Sequence, residues 1–242
     1  MKLELNKIYN MDCVEGMKQI PNEYIDLIVT DPPYPTTKRG ISKNTTTGGM
    51  MVSELGKQGK MFQHNNISPK EYIPEFYRVL KDNSQFYIMT NHVNLQEMLN
   101  VCTENGFHFI KSLIWKKDNK IMGQWYMSQF EYILFFRKGK AKRINNCGTA
   151  DVLEIPNKKL KGEDGKNLHD TEKPVELMKI LIENSSKKND IVLEPFAGCG
   201  STLLACKETG RNFIGFELDK HYHSIAEKRL LNYQEQLKIV GD

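Results

Sequence analysis

The sequence lacks the marks of several protein classes. No apolar run approaches the ~20 residues that a bilayer span needs. The first ten residues, MKLELNKIYN, carry no apolar signal core, which argues against secretion. Cysteine is sparse: Cys13, Cys102, Cys147, Cys199 and Cys206 are odd in number, and no two form a C-x-x-C pair. That argues against a disulfide framework or a cysteine zinc site, and suits the reducing cytoplasm. There is no internal repeat and no low-complexity tract. A P-loop is also missing, so a restriction activity is not encoded on this chain. What remains is a chain of 242 residues, 39% hydrophobic and 26% charged, whose length suits a single domain over 1–242.

The net charge is only +4, but it is unevenly spread. Residues 35–66 hold Lys38, Arg39, Lys43, Lys57 and Lys60 against the single acid Glu54. Residues 137–166 hold nine Lys or Arg against four acids. Both segments are polar and lack apolar periodicity, so they read as long loops on a mildly acidic body. A charge run of this kind is either solvated surface or a contact to nucleic-acid phosphates.

Elsewhere, short apolar runs alternate with helical patterns. Strands are expected at Lys7–Asn10, Asp26–Thr30, Gln85–Thr90, Phe107–Trp115, Tyr132–Arg137, Ile191–Pro195 and Asn212–Leu218. Helices are expected at Pro69–Leu80, at Asn94–Glu104 behind a capping Asn94, at Thr171–Ser185 behind a Thr cap, at Ser201–Thr209 and at Lys220–Leu237. The alternation implies an α/β fold: a doubly wound, mostly parallel seven-stranded sheet. Little separates the runs near Phe107 and Tyr132, so they should form an antiparallel hairpin.

Ile191-Val192-Leu193-Glu194-Pro195-Phe196-Ala197-Gly198-Cys199-Gly200-Ser201-Thr202 reads as strand, glycine turn and helix start. Gly198 and Gly200 let backbone approach a ligand, and the turn opens onto free helix N–H groups. Glu217, 17 residues after Gly200, ends the next strand, where a carboxylate can accept from both ribose hydroxyls of a nucleoside. Two details turn the ligand away from a dinucleotide. Leu203 stands where the third glycine of G-x-G-x-x-G would be, and Glu194 adds a carboxylate that a pyrophosphate would repel. A ligand with an ammonium group, a sulfonium and a ribose suits these acids better, and S-adenosylmethionine is one.

A second segment, Asp31-Pro32-Pro33-Tyr34, follows the run Asp26–Thr30 directly. Two prolines remove backbone donors, so the sheet cannot continue. The stiff loop offers a carboxylate, carbonyls and an aromatic face. Asp31 and the Pro32 carbonyl can accept the two N–H hydrogens of a ring-bound amino group while Tyr34 stacks on the ring. Such acceptors localise the nitrogen lone pair toward a methyl donor.

TDPPY together with LEPFAGCGST resembles the amino-methyltransferases of DNA, and the order of the two segments resembles their β group. The resemblance covers most of the chain. It implies a Rossmann-like S-adenosylmethionine-dependent methyltransferase fold with circularly permuted motif order, and it makes Asp31, Pro32, Pro33 and Tyr34 the catalytic segment. It places the acidic contact to the cofactor's adenine on Asp12, with Cys13 beside it. Lys173, in Thr171-Glu172-Lys173-Pro174, would approach the cofactor's methionine end. Thr202 would help hold the carboxylate, and Phe196 would line the pocket near the sulfur. Glu194, Gly198, Gly200, Ser201, Glu217 and Leu218 complete the expected cofactor set. No metal is implied.

The same resemblance implies double-stranded DNA as partner and gives the two basic loops a role. Residues 35–66, with Lys38, Arg39 and Lys43, would close over an extruded base. Residues 137–168, with Arg137, Lys138, Lys140, Lys142 and Arg143, stand where a small target-recognition insert is expected. Asp at position 31 resembles the adenine-N6 members; cytosine-N4 members more often carry Ser. Methylation of adenine N6 by base flipping and direct in-line transfer is therefore the expected reaction. Cytosine-N4 methylation, a silent nucleic-acid binder and protein glutamine methylation are the alternatives. A homodimer and a separate restriction endonuclease are conceivable partners. Trp115 and Trp125 read as packing residues.

Overall fold

The computed structural model describes residues 3–33, 67–121, 125–159 and 172–240. In chain order the elements are β1 (Lys7–Tyr9), α1 (Cys13–Met17), β2 (Ile25–Thr30), α2 (Pro69–Val79), β3 (Leu80–Thr90), α3 (Leu95–Glu104), β4 (His108–Ile121), β5 (Ser128–Arg137), β6 (Val152–Glu154), α4 (Val175–Ser185), β7 (Ile191–Glu194), α5 (Ser201–Thr209), β8 (Asn212–Phe216) and α6 (Lys220–Val240).

The strands form one sheet in the order β1-β8-β7-β2-β3-β5-β4-β6. The first five in that order run parallel. β5 is antiparallel to β3 and β4, the expected hairpin, and β6 runs parallel to β4 at the edge. The described residues thus hold eight strands rather than seven. β6 has one buried side chain, Leu153, in a charged stretch, so it left no periodic signal. Helix α1 was also unannounced; it is one turn and a half, started by the Asp12 side chain.

Helices cover both faces. Leu177, Leu181, Leu203 and Leu230 from α4, α5 and α6 pack on one, and Met17, Ile73, Phe76 and Met98 from α1, α2 and α3 on the other. Each such side chain, fully buried, contributes ~1.5–3 kcal/mol. Local signals set the helix starts. Ser68 and Glu71 form a capping box around Pro69 at the head of α2. Asn94 makes no side-chain cap; Asn91 does the work, its Oδ1 accepting from the backbone N–H groups of Val93 and Asn94 at 3.0 Å each. Helix α4 begins behind Pro174, and the expected Thr171 cap lies outside the described residues.

Cross-strand aromatics pin the β3–β5 register. Phe86 stacks on Phe136 at 4.9 Å and Tyr87 on Phe135 at 4.5 Å, each pair contributing about 0.5–1.5 kcal/mol beyond burial. This register carries Glu131 of β5 up to the carboxyl ends of the parallel strands, opposite Trp115. It also sends the end of β5 the other way. Arg137 pairs with His108 at the amino end of β4 and with Gln85, midway along β3 and level with Leu27 near the start of β2, and Gln85 Nε2 donates to the Lys142 carbonyl at 2.6 Å.

That register corrects the expectation for the second basic loop. Arg137, Lys138, Lys140, Lys142 and Arg143 lie at the amino ends of the parallel strands, about 17 Å of strand from the carboxyl ends, at ~3.3 Å per residue. Lys138 is only 4% exposed. It donates to the Leu80 carbonyl at 2.8 Å and sits 3.3 Å from Glu23 and 3.6 Å from Asp82. It is a structural lysine, not a surface cation. The loop returns to the other end only through β6, so Lys158 is exposed beyond the carboxyl ends. Among the described residues no helix is long and apolar enough to cross a membrane.

Candidate active site

Four loops leave the carboxyl ends of adjacent strands and form one rim. They follow β1 (Asn10, Asp12), β8 (Glu217, Leu218), β7 (Pro195 to Gly200) and β2 (Asp31 to Pro33). The sequence motifs therefore converge, because each follows a strand of the same parallel set. The first and last strands are paired, which the permuted order requires. Tyr34, Lys38, Arg39 and Lys43, with the loop 35–66, lie outside the described residues.

The glycine turn is tied to Glu217. Gly198 N–H donates to Glu217 Oε2 at 2.7 Å, and Asp219 N–H donates to Oε1 at 2.8 Å. Each oxygen keeps a second lone pair. Burial raises the Glu217 carboxyl above its ordinary range, opposed by those two N–H groups. Asn10 Nδ2 holds the Glu217 and Leu218 carbonyls at 2.9 and 3.0 Å, leaving the Leu218 side chain exposed beside the carboxylate. Gly200 has φ 82°, and a Cβ there would meet the Ala226 Cβ at 3.0 Å. The third glycine of the dinucleotide pattern is replaced by an inverse arrangement. Leu203 fills the space left by Gly215 on β8, where a Cβ would lie 2.7 Å from Leu203 Cδ1.

Several expected cofactor residues turn out to brace this turn. Glu194 is buried; it accepts from Thr30 Oγ1, Thr202 Oγ1 and the Phe196 N–H. Burial pushes its carboxyl up to about 8. Thr202, also buried, donates its hydroxyl proton to Glu194 at 2.7 Å. Ser201 Oγ donates to Glu172 and accepts from Arg229. Arg229, from α6, pairs with buried Glu172 at 2.9 Å and donates to the Cys199 carbonyl at 3.2 Å. The Asp12 carboxylate caps α1 through one oxygen, accepting from Val14 and Glu15 at 2.9 and 3.1 Å. Cys13 is buried beside it, its thiol pushed up by burial. Phe196 meets Tyr72 edge-on at 5.1 Å.

Asp31 is where the polar bonding is incomplete. Its Oδ2 accepts from Lys173 Nζ, but its buried Oδ1 has no partner. Burial raises the Asp31 carboxyl, Lys173 opposes that, and Glu131 adds to it. Lys173 therefore faces the acid of the Asp-Pro-Pro segment, where the sequence had suggested only the cofactor's methionine end. Glu131 and Lys117 complete this cluster and were not foreseen. The one available signal was an acid inside the apolar run Phe130–Phe136. Arg229 left no signal, being one cation among several on a surface helix.

Comparison with known proteins agrees with this geometry. A family model described as DNA methylase, for N6 and N4 methyltransferases, matches residues 25–228. The chain belongs to the N6/N4 DNA methylase family. The type II methyltransferase M.HinfI of Haemophilus influenzae is 32% identical over 248 residues, covering 93% of this chain and 68% of that one. The type II methyltransferase M2.MboI of Moraxella bovis is 27% identical, covering 92% and 86%. The crystal structure of M1.HpyAVI with S-adenosylmethionine superposes with a TM-score of 0.66 at 28% identity, covering 92% of this chain and 98% of that one. PvuII DNA methyltransferase, cytosine-N4-specific, shares the fold at a TM-score of 0.70 and 17% identity. This methylase is thus an S-adenosylmethionine-dependent DNA methyltransferase with a Rossmann-like sheet. The turn fits the cofactor: backbone at positive φ, a carboxylate with lone pairs to spare, and an open apolar neighbour in Leu218.

Proposed function

We propose that this methylase transfers a methyl group to the N6 amino group of adenine in a short duplex target, with the base rotated out of the helix. The observation that carries this reading is the unpartnered, buried Oδ1 of Asp31 on the rim that also holds the glycine turn. An amino group inside a duplex cannot reach a buried acceptor, so the nucleotide must leave the stack, at a cost of a few kcal/mol.

S-adenosylmethionine, when bound, supplies an electrophilic methyl group on a positively charged sulfur. Glu217 and Leu218 would hold its nucleoside, with Asp12 and Cys13 next along the rim. Gly198, Gly200 and Phe196 would border its sulfur end. Asp31 Oδ1 accepts one amino hydrogen and the Pro32 carbonyl the other, while Tyr34 stacks on the base. The lone pair of the nitrogen would form the new N–C bond as the methyl–sulfur bond breaks, its electron pair staying on sulfur to leave the neutral thioether S-adenosylhomocysteine, and the surplus proton would leave toward Asp31. An acid at position 31, rather than Ser, favours adenine.

The duplex would lie over the rim. The hairpin tip rises past it, with Trp125 86% and Tyr126 92% exposed. Trp125 is therefore not the packing residue expected from its sequence surroundings, whereas Trp115 is buried and donates Nε1–H to the Ile155 carbonyl. Lys120 and Lys158, exposed on the same end, are the described cations best placed for phosphates. A cytoplasmic location, a homodimer and a separate restriction endonuclease fit the type II relatives. Digesting methylated DNA to nucleosides and identifying the product by mass tests the assignment. N6-methyl-2′-deoxyadenosine is expected. N4-methylcytosine would overturn the choice of base, and no incorporation would overturn the reaction.

A further inference from the structure

The charges around Asp31 extend well behind the catalytic segment. Lys117 of β4 is 6% exposed, and its Nζ lies 2.5 Å from Glu131 Oε1 and 4.7 Å from the centroid of the Trp115 ring. Glu131 of β5 presents its other oxygen, Oε2, 3.4 Å from Lys173 Nζ. Lys173, 7% exposed, binds Asp31 Oδ2. Cation, anion, cation and anion thus alternate across four parts of the chain. Taking each charge out of water costs several kcal/mol, and the arrangement leaves two buried carboxylate oxygens, Asp31 Oδ1 and Glu131 Oε2, without a hydrogen bond. A purely structural cluster has no reason to leave acceptors unmet.

We infer that Glu131 is a positioning residue for methyl transfer, acting through Lys173. By sharing Lys173 with Asp31 it holds that ammonium on Oδ2, keeps Oδ1 free for the target amino group, and keeps Asp31 a strong acceptor. Lys117 is the counterweight that stops Glu131 from drawing Lys173 away. The inference rests on the reading of Asp31 as the catalytic acceptor.

The charge logic gives opposite signs for the two partners. Asp31 faces Lys173, Glu131 and Lys117, with Glu194 of β7 and Tyr72 of α2 also feeling its charge. Burial and Glu131 raise its carboxyl; Lys173 and Lys117 lower it. In Glu131 itself burial acts upward but Lys173 and Lys117 prevail, holding it ionised. Neutralising Glu131 removes an anion that raises Asp31 and so lowers the Asp31 titration. Neutralising Lys117 removes a favourable cation and raises it.

The test measures kcat, KM and the pH dependence of kcat/KM for the full chain on duplex DNA, in the parent, Glu131→Gln and Lys117→Met. The profile of kcat/KM reports groups of the free enzyme. The acid limb is expected at lower pH in Glu131→Gln and at higher pH in Lys117→Met. In Glu131→Gln kcat should fall about tenfold while KM for DNA and cofactor stays within about twofold, a loss confined to the reacting state. Unmoved limbs, limbs moving the same way, or KM rising in step with the loss of kcat would each overturn the inference. If Glu131→Gln does not fold, the upward limb of Lys117→Met decides alone. An Asp31→Asn control separates the two levels. If it stays active, the reading of Asp31 fails; if it is inactive but the limbs do not diverge, only the role of Glu131 fails.

Discussion

At the amino ends of the parallel strands, Arg78 donates to the Ile20 and Met17 carbonyls, to Asn22 and to Glu75. Asp26 accepts from Lys81 with one oxygen and from the Ile191 N–H with the other, and Lys138 has a carbonyl and two carboxylates. At the carboxyl ends, Asp31 and Glu131 share one lysine; Asp31 Oδ1 is buried without a partner, and Glu131 Oε2 has only its ion-pair contact to that lysine and no hydrogen bond. Both ends bury charge beside the same sheet. One end satisfies it and so contributes to folding; the other leaves acceptors open and gives up stability for a site.

That contrast can be broken from either end. The largest effect is expected for Asp31→Asn, since the amide cannot reproduce an ionised acceptor. Methyl transfer should fall by about 10²–10³, measured as labelled-methyl incorporation, while chemical denaturation shows a smaller loss than any change at Lys138. Lys138→Met should do the reverse. Loss of the bond to Leu80 and of both ion pairs should lower stability by about 1–3 kcal/mol, with kcat/KM on DNA unchanged; a loss of activity without a loss of stability would erase the distinction.

A smaller effect concerns pH. Burial raises the Glu194 carboxyl to about 8, so the folded form holds its proton more tightly than the unfolded chain. The stability this contributes is complete at acid pH and is lost as pH climbs from the ordinary carboxylate range through about 8. Melting temperatures at about pH 5 and about pH 9 should differ less in Glu194→Gln than in the parent. An equal difference would mean that Glu194 titrates normally. The smallest effect is expected when Lys140, Lys142 and Arg143 are all changed to Ala. Three lost phosphate contacts would flatten the salt dependence of DNA binding by a slope of about 2.7; at the far end of the sheet the slope should hardly move.

Much of this was legible in the chain itself. Continuous apolar runs such as Leu27-Ile28-Val29 marked strands buried on both faces, and the punctuation of Asp-Pro-Pro and Gly-x-Gly marked where two of them end. Since parallel strands point the same way, those ends had to share a rim. Three-residue β6 and short α1 escaped because neither is long enough to show a period. The basic loop was misread for a different reason. Charge composition identifies cations but not their direction, and the antiparallel turn of β5 sends Arg137 and its neighbours away from the rim.

The sequence alone determined the alternation of the longer strands and helices, the two turns that end β2 and β7 and the chemistry each could support, because these depend on local backbone freedom and on side-chain type. Only the tertiary structure decided which acids are free and which are used. Glu194 and Thr202 satisfy each other, Lys173 turns to Asp31, and Glu131 arrives from a strand a hundred residues away in sequence. Those pairings depend on register and burial across the sheet, where a shift of one residue would point Glu131 to the opposite face.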